Sequence, residues 1–234
     1  MKRFYKTATT IEKDGKWAVA LDGRIIKTPA RSDLTVSDDA IAAAIAEEWN
    51  AQGETVDIPA MHLTRLINVA IDRTPGERQA MIDEVGRYCE TDLLCFLADD
   101  DQEDLRNRQI DLWRPIREWA GKTLGIVLLE APGGVLHQPQ PPASIYAARA
   151  HLSPMDDLRL TAFVFGMGLY GSALLMFAVE RGHIEPLEAY ESSILDEAWQ
   201  MEKWGEDAEA RARHDAQRTE VSVLAKVFSL KNAN

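Results

Sequence analysis

The stretch from Leu160 to Val179 constrains this chain most, because it runs for twenty residues without a charged side chain. A run of that length suffices for a membrane helix, and it also suits a helix at the centre of a larger helical domain. Its composition favours the second reading. Thr161, Gly166, Gly168, Tyr170, Gly171 and Ser172 sit near its middle, and Arg159 and Arg181 flank its ends. Three glycines give up about 3 kcal/mol of helix propensity relative to alanine, so the segment depends on neighbours to hold it. On a helical wheel Ala162, Gly166 and Ala173 share one side, while Gly168 lies roughly 200° from Gly166. The expectation is one buried helix over 155–181, not inserted in a membrane, with small residues admitting other helices from two directions.

The same stretch spells Gly166-Met167-Gly168-Leu169-Tyr170-Gly171, the spacing of a dinucleotide fingerprint, with Glu191 twenty residues beyond the last glycine. That fingerprint works only when a strand precedes a tight turn whose backbone N–H groups meet the pyrophosphate, with a helix and a second strand after it. Here Glu185 to Trp204 reads as helix and has no β-branched run, which would place Glu191 in mid-helix. A nucleotide-dependent enzyme using segment 166–171 is therefore the alternative rather than the leading reading.

The remaining sequence divides by periodicity. From Phe4 to Val36, β-branched and aromatic residues alternate with the turn pairs Asp14-Gly15, Asp22-Gly23 and Thr28-Pro29, which predicts a small antiparallel meander with Trp17, Val19 and Leu21 on one face. Ser37 is placed to cap a helix over 40–52 that ends at Gly53, and Trp49 should pack against the sheet. Further helices are expected over 63–73, 77–97, 103–124, 145–151, 185–204 and 206–230, with an extended excursion or short hairpin over 126–142. The fold class is α+β, a small N-terminal antiparallel β-rich domain (1–74, with flanking helices) followed by a larger all-helical domain (75–234), the Pro75-Gly76 pair marking the boundary.

A formal charge of −12 over 234 residues disfavours nucleic acid and anionic lipid as partners. Cys89 and Cys95, the only cysteines, are six residues apart in a segment read as helical, where their side chains diverge. They read as two small buried hydrophobes. With no apolar leader at Met1–Lys6, they point to the cytoplasm. The acidic run Asp99–Asp104 lacks the glycine and glutamate of a calcium loop, holding Asp104 and Ile110 at those positions, and reads as a solvated loop opening a helix. The histidines fall in unrelated segments without a catalytic or metal-binding spacing. No catalytic residue, metal or cofactor is expected.

Several strings then combine: Arg3-Phe4-Tyr5-Lys6; Leu21-Asp22-Gly23-Arg24 with Lys27-Thr28-Pro29; Ala46-Glu47-Glu48-Trp49 followed by Gln52; Met61 with Leu63-Thr64; Ala70-Ile71-Asp72; Thr91-Asp92-Leu93-Leu94; and Trp199-Gln200 with Trp204-Gly205-Glu206. Together, from residue 3 to about 209, they resemble the assembly chaperones of the ATP synthase catalytic head that hold the free alpha subunit. The resemblance implies a non-enzymatic protein, ATP-independent, with a β-rich N-terminal domain and a helical C-terminal one. It would cover the apolar surface of the alpha subunit until the beta subunit displaces it; eukaryotic relatives would work in the mitochondrial matrix. It also points to the acidic pair before the tryptophan-glutamine step, so that Glu197, Asp196, Gln200, Trp204 and Glu206 are the expected partner-binding residues.

On the expected helix, Leu187, Tyr190, Ile194, Ala198 and Met201 form a core stripe, and Glu197, Gln200 and Trp204 follow on a flanking face. The alternative for Glu197 is an internal ion pair, while Trp204-Gly205 reads first as a simple helix end. Trp49, Gly166, Gly168 and Gly171 are expected to serve structure.

Overall fold

The computed structural model describes residues 1–131, 138–205 and 208–229. Among these, one compact unit takes in Met1–Arg78, Asp157–Ala162 and Ser229, and a second takes in Gln79–Asp156 and Phe163–Phe228. A small antiparallel sheet stands at the N-terminus and helices follow it, an α+β architecture.

In the first unit, β1 (Ala8–Lys13), β2 (Lys16–Leu21), β3 (Arg24–Ile25) and β4 (Thr35–Val36) form the sheet. β2 is central, pairing with β1 on one side and with β3 and β4 at successive positions on the other. Both Asp-Gly turns have positive φ at each residue, 51° and 72° at Asp14-Gly15 and 47° and 81° at Asp22-Gly23, the conformation that matches the strand twist of a two-residue hairpin. The expected alternation along β2 is not observed: Trp17 is only half-buried, while Ala18 and Ala20 are as fully buried as Val19. A central strand covered on both faces loses the period-two signature of a half-exposed one.

Helix α1 (Asp39–Asn50) packs on β1 and β2. Its cap is Asp38 rather than Ser37: the Asp38 carboxylate accepts from the N–H groups of Ala40 and Ile41. Trp49 is 5% exposed, its ring meeting Tyr5 edge-on at 5.6 Å, and the Tyr5 hydroxyl donates to the Trp49 carbonyl at 2.7 Å. Helix α2 (His62–Asp72) has no cap of its own at Met61. Glu48 supplies one from α1, accepting from the N–H groups of Leu63 and Thr64 and from the Thr64 hydroxyl at 2.6 Å. At the other end of α2, Asp72 accepts from the Thr28 hydroxyl and the Ala30 N–H. Arg3 donates to the carbonyls of Tyr5, Lys6, Asn50 and Gln52, tying the first residues to the end of α1.

Pro75 and Gly76 lie in the first turn of α3 (Thr74–Glu90), where the missing proline N–H costs nothing. The expected helix over 77–97 is two elements, because the chain leaves α3 after Glu90 and makes a separate 3-10 turn at Leu93–Cys95. Then come α4 (Glu103–Leu124), α5 (Pro142–Leu152), α6 (Asp157–Tyr170), α7 (Ala173–Glu180), α8 (Pro186–Ser193), α9 (Leu195–Trp204) and α10 (Ala208–Ser229). Of the expected excursion over 126–142, residues 126–131 belong to no helix or strand, with Ile126 and Leu128 buried and the Gln140 amide bonded to both the N–H and the carbonyl of Leu129. Residues 132–137 lie outside the described residues.

Most of the twenty-residue apolar run is buried, with Gly168 exposed and Val164, Phe165 and Leu169 half-buried, and it is not one helix. Gly171, at φ +64°, ends α6, and Ser172 caps α7, accepting from the Leu175 N–H at 3.1 Å. Every residue of α7 from Ala173 to Val179 is buried. Broken in this way, no helix among the described residues is long and apolar enough to cross a membrane. The two glycines within α6 have different roles. A Cβ on Gly166 would collide with the Met176 sulfur and with Leu224, whereas one on Gly168 would meet nothing within 4 Å. Helix neighbours therefore approach α6 closely at Gly166 alone of the two.

The break is held from a distance. Asp92, fully buried, accepts from the Ser172 hydroxyl at 2.7 Å and from the N–H of Leu174 at 3.1 Å, and also caps the 3-10 turn through the N–H of Leu94. Burial pushes the Asp92 carboxyl up; the hydroxyl and amide donors oppose that push.

Candidate functional site

Helix α9 is fixed on one side and open on the other. Its fixed side faces α4. Trp199 is 8% exposed, and its indole N–H donates to Asp104 at 2.9 Å, which holds the Asp104 carboxyl below the usual range. Gln109, buried, donates its amide to Asp196 at 2.7 Å while its carbonyl oxygen accepts from the Ala98 N–H. Arg108 pairs with Glu202 at 2.8 Å. Burial raises the Asp196 carboxyl, and the Gln109 bond opposes that rise.

The open side carries Glu197, Gln200 and Trp204, all exposed and spaced three and four residues apart. The Glu197 side chain is half exposed at 51%, and Arg213 of α10 donates to its Oε2 at 2.7 Å. Trp204 is 73% exposed and touches the Trp199 ring edge-on at 5.8 Å. Gly205, at φ 89°, stops the helix behind it. Of the residues expected to bind a partner, the structure brings Glu197, Gln200 and Trp204 to one face. Asp196 points the other way, into the α4 junction, and Glu206 lies outside the described residues.

The expected core stripe is corrected at both ends. Leu187 is 47% exposed, Ile194, Ala198 and Met201 are only half-buried, and Tyr190 alone of that set is fully buried. The stripe assumed one continuous helix over 185–204, but the chain breaks at Ile194, so α8 and α9 do not share one wheel. The residue that anchors α9 is Trp199, which the sequence offered only as part of a string.

Other candidate sites are accounted for by the fold. Val164, Gly166 and Gly168 are all helical, so the 166–171 spacing presents no turn of free N–H groups to a phosphate. The acidic run opens α4 through a 3-10 turn at Asp100–Gln102, and no group of three His, Cys, Asp or Glu side chains among the described residues is arranged to hold a metal ion. Cys89 and Cys95 are both buried and free, and burial raises both thiols, that of Cys95 to about 12.

The model of the ATP12 chaperone protein family matches residues 2–121. Protein atp12, mitochondrial, of Schizosaccharomyces pombe is 26% identical over 219 residues, covering 88% of this chain and 75% of that one. Among solved structures, the Atu1473 protein of Agrobacterium tumefaciens superposes with a TM-score of 0.91 at 35% identity, over 97% of this chain and 85% of that chain. Atp12 of Paracoccus denitrificans superposes with a TM-score of 0.85 at 36% identity, over 96% and 94%.

Proposed function

The chain belongs to the ATP12 chaperone family, and on that premise we propose that it binds the unassembled alpha subunit of the ATP synthase catalytic head and shields its subunit interface until the beta subunit takes its place. The family is one of chaperones of ATP synthase assembly and not of enzymes. The alpha subunit as client, and the residues that meet it, are the finer reading.

One observation carries that reading: the outer face of α9 presents a half-exposed carboxylate and an indole 73% exposed, on a helix whose other side is locked to α4. Exposed tryptophans on a rigid support are the kind of anchor that dominates protein interfaces, and preorganisation limits the entropy lost on binding. An unassembled subunit exposes a large apolar patch that aggregates unless covered. Binding that patch by mass action, with release when the correct subunit competes for it, requires no nucleotide hydrolysis. Buried, unpaired thiols suit a reducing compartment such as the cytoplasm.

Calorimetric titration of the isolated alpha subunit into this protein, set beside the Glu197→Lys variant, tests the proposal. Saturable binding by the wild type and a loss of at least tenfold in the variant, with unchanged circular dichroism, are expected. Equal binding by both would remove Glu197 and the α9 face from the interface. No binding by either would remove the alpha subunit as client.

A further inference from the structure

Helix α10 holds Glu197 by one oxygen. Arg213 donates to Oε2 at 2.7 Å, and Nε2 of the buried His214 ring, one residue further along α10, lies 3.5 Å from the same atom. Oε1 accepts no hydrogen bond among the described residues. An internal ion pair and a client contact are therefore compatible roles for Glu197, since each needs a single oxygen.

Both side chains of the pair are about half exposed, 54% for Arg213 and 51% for Glu197. An ion pair so open to solvent adds little to stability. Its consequence is conformational. A glutamate left alone on a helix surface samples several staggered rotamers, and freezing one of them on binding draws down affinity. With Oε2 already held by Arg213, that ordering is complete before the client arrives.

The client group that meets Oε1 has to be a donor, because an ionised carboxylate offers only acceptors. Its surroundings select a cation. From Glu180 to Trp204 the chain carries seven acidic side chains against two basic ones. Glu185, Glu188 and Glu191, on or beside α8, are exposed and have no ion-pair partner among the described residues. Such a field attracts lysine and arginine and repels carboxylates.

We propose that Arg213 is the positioning residue for Glu197, holding Oε2 so that Oε1 takes a lysine or arginine side chain of the client in a charge-assisted hydrogen bond. The proposal rests on the reading of Glu197 as a client contact.

The test has two arms, which separate failure of this inference from failure of that reading. In the free protein, nuclear magnetic resonance couplings across χ1 of Glu197 are expected to report one rotamer in the wild type and an average in Arg213→Gln. Averaged couplings in the wild type, or unchanged ones in the variant, would overturn the positioning whatever Glu197 binds. In the second arm, affinity for the isolated alpha subunit is measured by calorimetry, with the folding of each variant checked by circular dichroism. Glu197→Ala is expected to lose about tenfold or more, and Arg213→Gln about fivefold, the scale of one side chain's ordering. Arg213→Lys keeps a cationic donor and should lose less than about twofold. Because Arg213 acts through Glu197, Arg213→Gln should cost nothing further in the Glu197→Ala background. Glu197→Gln keeps an acceptor oxygen without the charge and should bind as weakly as Glu197→Ala. Additive losses in the double variant, or an Arg213→Lys no better than Arg213→Gln, overturn the proposal. Wild-type affinity in Glu197→Gln overturns the cationic donor, and wild-type affinity in Glu197→Ala removes the reading beneath the proposal and the proposal with it.

Discussion

The α6–α7 junction and the open face of α9 both turn on one carboxylate, used in opposite ways. Asp92 is fully buried and takes up a hydroxyl and backbone N–H groups on two elements, so the break at Gly171-Ser172 depends on it. Glu197 is half exposed, has one oxygen that accepts from Arg213 and lies 3.5 Å from the His214 ring nitrogen, and caps nothing. A buried acceptor engaged by donors at both oxygens builds the fold, whereas one left only partly engaged at the surface is free to meet another molecule. Position and partner number separate the two, because aspartate and glutamate differ little in chemistry.

The contrast can be broken by mutation. Asp92→Ala should have the largest effect, about 3 kcal/mol or more, because it strands a buried hydroxyl and buried N–H groups that no water reaches. Urea denaturation would measure it, and a loss under 1 kcal/mol would deny Asp92 its place in the junction. The two α6 glycines sharpen the same point. Gly166→Ala forces a methyl against buried Met176 and Leu224 and should cost about 1–3 kcal/mol, while Gly168→Ala has open space and should stabilise by up to about 1 kcal/mol through helix propensity. Thermal melts that rank these two the other way would contradict the packing described for α6.

At the open face, Trp204→Ala should change stability by no more than about 0.5 kcal/mol, with its effect falling on client affinity instead. A melt shifted by many degrees would mean that Trp204 belongs to the core. The smallest expected signal is chemical: Cys89 and Cys95, buried and with raised thiols, should not react measurably with a thiol reagent until the chain is denatured. Rapid modification of the native protein would show that the interior of the helical unit opens.

Much of this was legible in the sequence, though often under a different heading. The Asp-Gly hairpins, the helix carrying Trp49 and the burial of most of Leu160–Val179 were all readable from local signals. The strings that marked the family prove to be halves of long-range contacts: Arg3 with the end of α1, Glu48 with Thr64, Thr28 with Asp72, Trp199 with Asp104. Each half alone reads as an ordinary polar residue, and nothing local indicates its other half. The candidate site was read in part. Spacing placed Glu197, Gln200 and Trp204 on one face, but gave no sign that Asp196 turns inward or that His214 lies behind Glu197.

The sequence by itself determined the class of fold, the turns and the apolar segment, because backbone preference and hydrophobic periodicity act over a few residues. Only the tertiary structure decided where helices stop. Gly171 could have sat within a continuous helix at modest cost; the break at Gly171-Ser172 coincides with a buried carboxylate from eighty residues away, bonded to the Ser172 hydroxyl and the Leu174 N–H. The twenty-residue run of Leu160–Val179 is therefore two helices rather than one, since a hydrogen bond made in the interior outweighs the local propensity that reads as helix.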